Sequence, residues 1–315
     1  MTQAGPPKVG WVGTGRMGFA LANRLLDAGY DVAAYNRTRS KAEPLAQKGA
    51  TIVDRPVDLA DRDIVFIMVS APRDLEAVTI GDGGLLTADG ATPGIIIDSS
   101  TVSMETSALI RASALTHGSQ FLASPVSGNP SVIAAGKLTL AVSGPRDVFD
   151  RAEPVLSALG RSVTYVGDDE VARLVKICHN VFLGVVTQSL AEITVLAERG
   201  GVSRHAFLEF LNDSVMGSVF TRYKSPAFVN LDFTPTFTNV LLSKDFDLGL
   251  DAARRLAVPV PVAEATARLV ADAVEAGHVS DDFATLLLEQ ARRSGVTLTP
   301  ENVVVDDGLA VQVNA

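Results

Sequence analysis

The chain predicts an α/β fold in which a doubly wound parallel sheet occupies the N-terminal part and an all-helical domain the C-terminal part. Three observations carry this. Short β-rich runs alternate with helical segments up to Gly167, the grammar of strands linked by crossover helices. A glycine triplet stands between the first strand and the first helix. After Gly167 every ordered-looking segment has helical period, with no further strand.

In order, "KVGWVG" (8–13), "DVAAYN" (31–36), "DIVFIMV" (63–69), "GIIIDSS" (94–100), "SQFLASPV" (119–126), "KLTLAVSG" (137–144) and "SVTYVG" (162–167) read as strands. Amphipathic segments separate most of them. This arrangement gives a Rossmann-type dinucleotide-binding domain over residues 1–167. The segments "SRHAFLEFLND", "TNVLLSKDFDLGLDAARRLA", "PVAEATARLVADAVEAG" and "DDFATLLLEQARR" have helical period and place an all-helical second domain at 168–296. The tail 297–315 lacks that period and is expected to be mobile.

The triplet Gly13-x-Gly15-x-x-Gly18 is weak alone and strong in its βαβ setting. Gly13 allows the tight turn, Gly15 lets backbone approach a pyrophosphate, and Gly18 lets helix and strand pack closely. Thr14, Arg16 and Met17 fill the intervening positions, where N–H groups of the helix start face the phosphates. A site built for NAD ends the second strand with an acid that accepts from the ribose 2′-OH. Here the chain reads Asn36-Arg37-Thr38. Arg37 can clamp a 2′-phosphate and its neighbours can donate to it, so NADP(H) is expected in preference to NAD(H). The competing reading is a solvated arginine on a loop.

From Val171 to Gly200 the chain runs without proline, and aliphatic residues fall on every side of the helical wheel. That predicts a helix covered all round. Lys176, Asn180 and Thr187 lie within ~40° of one another at a pitch of ~100° per residue, with His179 ~60° to one side. Such a stripe on a covered helix needs partners or a task. The face is apolar beyond what one small domain would cover, so a homodimer or higher homo-oligomer is expected.

Composition narrows the function classes. The formal charge of −9 and the absence of a basic run argue against a nucleic-acid surface. Charged residues make up 20% and apolar ones 47%, an ordinary balance for a globular chain. The single cysteine, Cys178, cannot form an internal disulfide, and the N-terminus shows no signal pattern, so a cytoplasmic protein is expected. No membrane span is expected. His117, His205 and His278 are scattered, without metal-ligand spacing, and Cys178 reads as packing in an apolar helix.

With "GWVGTGRMG", "DSSTV" (98–102), "SPVSGNPSVIAAGKLTLAVSG" (124–144), "KICHN" (176–180) and "KDFDLGL" (244–250) in view, the chain resembles the β-hydroxyacid dehydrogenases. This family includes 3-hydroxyisobutyrate dehydrogenases and tartronate semialdehyde reductases. The resemblance runs in order and spacing to about residue 296. It implies that Lys176 is the catalytic acid/base and that Asn180 holds the substrate. It also implies that Ser127, Gly128 and Asn129 bind the substrate carboxylate. Lys244 is implied near the cofactor, Ser100-Thr101 along the nicotinamide riboside, and Val69-Ser70 beside a ribose. The family's second loop glycine is Asn129 here, and a position often held by asparagine is His179.

The implied reaction is hydride transfer between NADP(H), or NAD(H), and a small β-hydroxy acid or its semialdehyde. A lysine suits it if burial or a nearby cation such as Lys244 lowers its pKa toward working pH, because it can then take or give the alcohol proton. Two alternatives stand beside this: a non-catalytic NADPH-binding module, and an imine reductase. Imine reductases of this architecture usually carry aspartate or tyrosine where this chain has Lys176. A lysine whose head lies in water is the remaining alternative for that residue.

Overall fold

The structure is a computed structural model that describes residues 5–310. It divides into two compact units, Met1–Lys176 and Ile177–Ala315.

In the first unit, β1 (Val9–Val12), β2 (Val32–Tyr35), β3 (Thr51–Ile52), β4 (Ile64–Ile67), β5 (Ile95–Asp98) and β6 (Gln120–Ala123) form a parallel sheet in the order β3-β2-β1-β4-β5-β6. Its helices are α1 (Arg16–Asp27), the short α2 (Glu43–Ala46), α3 (Pro72–Thr79), α4 (Met104–Thr116), α5 (Pro130–Ala134) and α6 (Arg146–Ser157). Beyond β6, β8 (Thr139–Ser143) pairs antiparallel with β6 and with β7 (Val126–Ser127), and parallel with β9 (Ser162–Gly167). Seven of these strands fall on the runs read from sequence. The two-residue β3 lies outside them, being too short to show a period.

Alternation along the central strands decides which face each side chain enters. Val9, Trp11, Ile64, Phe66, Ile95 and Ile97 join α1 and α6 in one core, while Val12, Val65, Ile67 and Ile96 join α3 and α4 in another. Both faces are therefore apolar, as parallel sheets require. Trp11 stacks on Phe66 with ring centroids 5.2 Å apart.

The long helix α7 (Val171–Arg199) opens in the first unit, and the division falls between Lys176 and Ile177. Its first turn is bolted to the sheet domain. Ser143 Oγ accepts from the Ala172 N–H, and Arg111 of α4 pairs with both Asp169 and Glu170. These contacts are why the compact boundary lies later than Gly167.

The second unit contains the rest of α7 with α8 (Arg204–Asp213), α9 (Val219–Asn230), α10 (Asn239–Arg255), α11 (Pro261–Glu275) and α12 (Leu286–Arg293). Two glycines bring α7 and α10 close: a Cβ on Gly184 would meet Phe246 at 2.4 Å, and one on Gly249 would meet Val181 at 2.3 Å. Helix α9 has no counterpart among the segments read as helical, because Pro226 stands inside it and Gly217 just before it. Tertiary contacts hold it. Ser218 and Thr221 form its capping box, and Lys224, 2% exposed, pairs with Asp282 at 2.5 Å. Burial pushes the Lys224 ammonium below the ordinary lysine range, against the pull of Asp282.

Two expectations differ from the structure of the single chain. The tail is tied down: Asn230 holds Val303, and Glu301 accepts the Arg204 and His205 N–H groups at the start of α8. Residues 311–315 lie outside the described residues. Helix α7 is not covered all round, since Cys178 is exposed and Phe182 and Leu196 are 67% and 73% exposed. By length and composition alone α7 is long and apolar enough to cross a membrane, a property that the core helix of a globular unit shares. In this unit Leu190, Ala191 and Val195 enter the core, and Asn180, Thr187, Gln188 and Thr194 are buried.

Candidate active site

The glycine loop has the geometry its sequence demands. Gly13 has φ +95°, and a Cβ there would lie 2.2 Å from the Met68 carbonyl oxygen. A Cβ on Gly18 would lie 2.0 Å from the Gly13 oxygen. At Gly15 a Cβ would meet nothing within 4 Å, and no side chain caps α1, which begins there. An uncapped helix start facing open space beside glycine fits a dinucleotide pyrophosphate. Thr14 is buried, and Arg16 and Met17 open the helix.

Asn36 braces this loop from the end of β2. Its Oδ1 accepts the Thr14 N–H at 2.8 Å and its Nδ2 donates to the Thr38 carbonyl at 2.8 Å. Both ends of the amide are therefore engaged within the turn. Arg37 is exposed and pairs with Asp74 of α3 at 3.0 Å, and Thr38 is exposed beside it.

The loops after β4 and β5 meet. Val69 N–H donates to Ser100 Oγ at 3.0 Å, next to Ser70 and Thr101. Asp98 ends β5, fully buried, and accepts the Ser100 N–H at 3.0 Å.

Lys176 Nζ donates to the Val126 carbonyl at 2.8 Å. That carbonyl directly precedes Ser127, Gly128 and Asn129, so the lysine head stands beside the loop expected to take a carboxylate. Gly128 has φ +144°, and a Cβ there would press on Val132 and Leu138 at 2.8 and 2.9 Å. Asn129 is the N-cap of α5, its Oδ1 accepting the Val132 N–H at 3.0 Å. An N-cap role explains asparagine here in local terms, since Asn is among the best N-cap residues.

In the second unit Asn180 is 3% exposed, and its Nδ2 donates to Asp245 Oδ2 at 2.5 Å. A carboxylate only accepts, so the amide nitrogen must face Asp245. The Asn180 oxygen then takes a hydrogen bond from His179 Nδ1 at 2.9 Å, which sets the tautomer of that ring. Lys244 Nζ lies 3.7 Å from Asp245 Oδ1. Among the described residues no group of three or more His, Cys, Asp or Glu is arranged to hold a metal ion.

Residues 8–167 match the NAD binding domain of 6-phosphogluconate dehydrogenase, and residues 171–289 match the NAD-binding region of NADP-dependent 3-hydroxyisobutyrate dehydrogenase. An uncharacterized oxidoreductase of Bacillus subtilis is 32% identical over 283 residues, covering 89% of this chain and 98% of its own. The chain belongs to the β-hydroxyacid dehydrogenase family. A glyoxylate/succinic semialdehyde reductase of Arabidopsis thaliana is 28% identical over 90% of this chain and 80% of its own. The crystal structure of a 3-hydroxyisobutyrate dehydrogenase from Salmonella typhimurium superimposes with a TM-score of 0.81 at 27% identity, covering 90% of this chain and all of the other. This β-hydroxyacid dehydrogenase is accordingly an NAD(P)-dependent oxidoreductase.

Sequence reasoning passed over Asp74, Arg173, Ser107 and the bracing role of Asn36. Arg173 left one signal, a second cation three residues before Lys176 on an apolar helix. The Arg37–Asp74 pair spans 37 positions and leaves none.

Proposed function

We propose that this β-hydroxyacid dehydrogenase interconverts a small β-hydroxy acid and its semialdehyde, with Lys176 as the acid/base and NADP(H) as the preferred cofactor. The observation that carries the reading is the Lys176 ammonium held at the Val126 carbonyl, immediately before the loop of Ser127, Gly128 and Asn129. The bound nicotinamide supplies or accepts the hydride. In the reductive direction Lys176 gives a proton from Nζ to the carbonyl oxygen; in the oxidative direction it takes that proton from the hydroxyl. Backbone N–H groups of the 127–129 loop hold the substrate carboxylate. Asn180, its oxygen engaged by His179, offers an amide hydrogen to a substrate oxygen without competing for the proton. The lysine also weighs against the imine-reductase and non-catalytic alternatives. Purified protein with NADPH and a panel of small aldehyde acids, amines with ketones, and neutral aldehydes tests the reading. Turnover confined to imine formation and reduction would overturn it.

Cofactor preference rests on Arg37. A hydrogen bond to a charged group contributes ~1.5–3 kcal/mol net, from which release of the pair between exposed Arg37 and half-buried Asp74 subtracts ~0–1 kcal/mol. Since ~1.4 kcal/mol is tenfold, NADPH should bind roughly tenfold more tightly than NADH, less so at high salt. Asp74→Asn should widen the preference by removing a competing anion, and Arg37→Ile should erase it. Fluorescence titration of both cofactors decides; equal or tighter NADH binding in the wild type removes Arg37 from the site.

The unit is also proposed to pair with a second copy through α7. Phe182, Ile193 and Leu196 are exposed along one helix, and Phe182 and Leu196 lie two heptads apart, the spacing of a helix–helix seam. Light scattering should give at least twice 33.0 kDa at micromolar concentration, and Leu196→Glu should reduce it. A wild-type monomer would contradict the pairing.

A further inference from the structure

We infer that Arg173 is a positioning residue that sets Lys176 and the Ser100–Thr101 loop in one frame. The inference rests on the acid/base reading of Lys176. Arg173 is 1% exposed at the start of α7. Its Nη2 donates to Asp98 Oδ2 at 2.5 Å, its Nη1 to the Ser100 carbonyl at 2.6 Å, and its Nε to Ser107 Oγ at 3.0 Å. Three bonds in three directions fix the plane of the guanidinium, which a lysine ammonium could not reproduce.

The partners are not a random sample of the core. Asp98 Oδ1 holds the Ser100 N–H, and Ser100 Oγ holds the Val69 N–H. One chain of bonds therefore runs from α7 through the end of β5 to the end of β4. It joins the segments that carry Lys176, Thr101 and Val69-Ser70. Lys176 follows Arg173 by three residues, on the same side of the helix, and its Nζ reaches Val126 of β7. The helix that presents the lysine is thus anchored one turn earlier on the cofactor-side loops. A buried ion pair adds little stability over apolar residues of the same shape. What this one supplies is geometry, since a charged, directional clasp has one low-energy arrangement where aliphatic packing would allow several.

The test uses the full chain and four forms: wild type, Arg173→Lys, Lys176→Ala and the double variant. Each is assayed for kcat and KM against pH with the best substrate of the panel, and titrated with NADPH by fluorescence. Arg173→Lys should retain the fold by circular dichroism and bind NADPH within about threefold of wild type. Its kcat should fall by about 10²-fold, the cost of ~1 Å of misplacement, with a smaller change in KM and a displaced pH profile. In the Lys176→Ala background the same substitution should cost nothing further, because residues that act as a unit are non-additive. Equal losses in both backgrounds, or an unchanged kcat and pH profile, overturn the inference. Should Arg173→Lys not fold, Ser107→Ala leaves the ion pair whole and should lower kcat about threefold with the same non-additivity; no change in kcat overturns the inference equally. Wild-type turnover in Lys176→Ala alone would instead refute the acid/base reading, so the two failures are distinct.

Discussion

Replacement of Lys176 by alanine is expected to lower kcat by ~10²–10⁴, the usual contribution of a positioned acid/base, while NADPH binding stays near wild type. The separation follows from what each segment touches. The proposed phosphate cradle is backbone at Gly13, Gly15 and Gly18 together with the start of α1, and Asn36 braces that loop. Lys176 donates elsewhere, to the Val126 carbonyl. Alanine is also the residue least costly to a helix, so α7 should persist. Steady-state kinetics with fluorescence titration on one preparation check both halves. Near wild-type kcat would remove the lysine from the chemistry, and lost cofactor binding would mean that the substitution disturbs the fold.

Replacement of Arg204 by alanine is expected to cost the helical unit ~2–4 kcal/mol, because buried carbonyls lose their donor at ~1–3 kcal/mol each while the ionic partner Glu198 stays partly solvated. Arg204 is 1% exposed at the start of α8. Its Nε donates to the Phe228 carbonyl at 2.8 Å, its Nη1 to Glu198 at 2.5 Å, and its Nη2 to the Val229 carbonyl at 3.0 Å and to Thr299. Removing it strips donors from the end of α9 and from the tail at once. A domain is stable by only ~5–15 kcal/mol, so the loss is a large share. Urea unfolding followed by helical circular dichroism should show an early transition for this unit. Arg199→Ala, which removes one exposed bond to Ser294, serves as the control and should lie within ~0.5 kcal/mol of wild type. Matching midpoints for the two variants would show that the clasp contributes little.

Local features of the chain were enough to read the doubly wound sheet, its glycine loop and the run of helices that follows. Strand alternation, glycine spacing and helical period are set within a few residues, and Gly13 and Gly18 tolerate no side chain for reasons visible in any βαβ unit. The motif order from Gly13 to Lys244 likewise sufficed for the family. The remainder required contacts between distant segments. Helix α9 contains Pro226 and stands because Lys224 finds Asp282, 58 positions away. The tail has no period of its own and is held by Arg204 and Asn230. Phe182 and Leu196 look like core in the sequence and lie exposed in the single chain, because helical period records how apolar a face is and not what covers it. Asn36 and Arg37 are adjacent, yet one turned inward to the Thr14 amide and the other outward to Asp74. Arg173 reads as one cation on an apolar helix until the fold brings Asp98, Ser100 and Ser107 around it, for a hydrogen-bond partner is chosen by distance in space and leaves no trace in sequence separation.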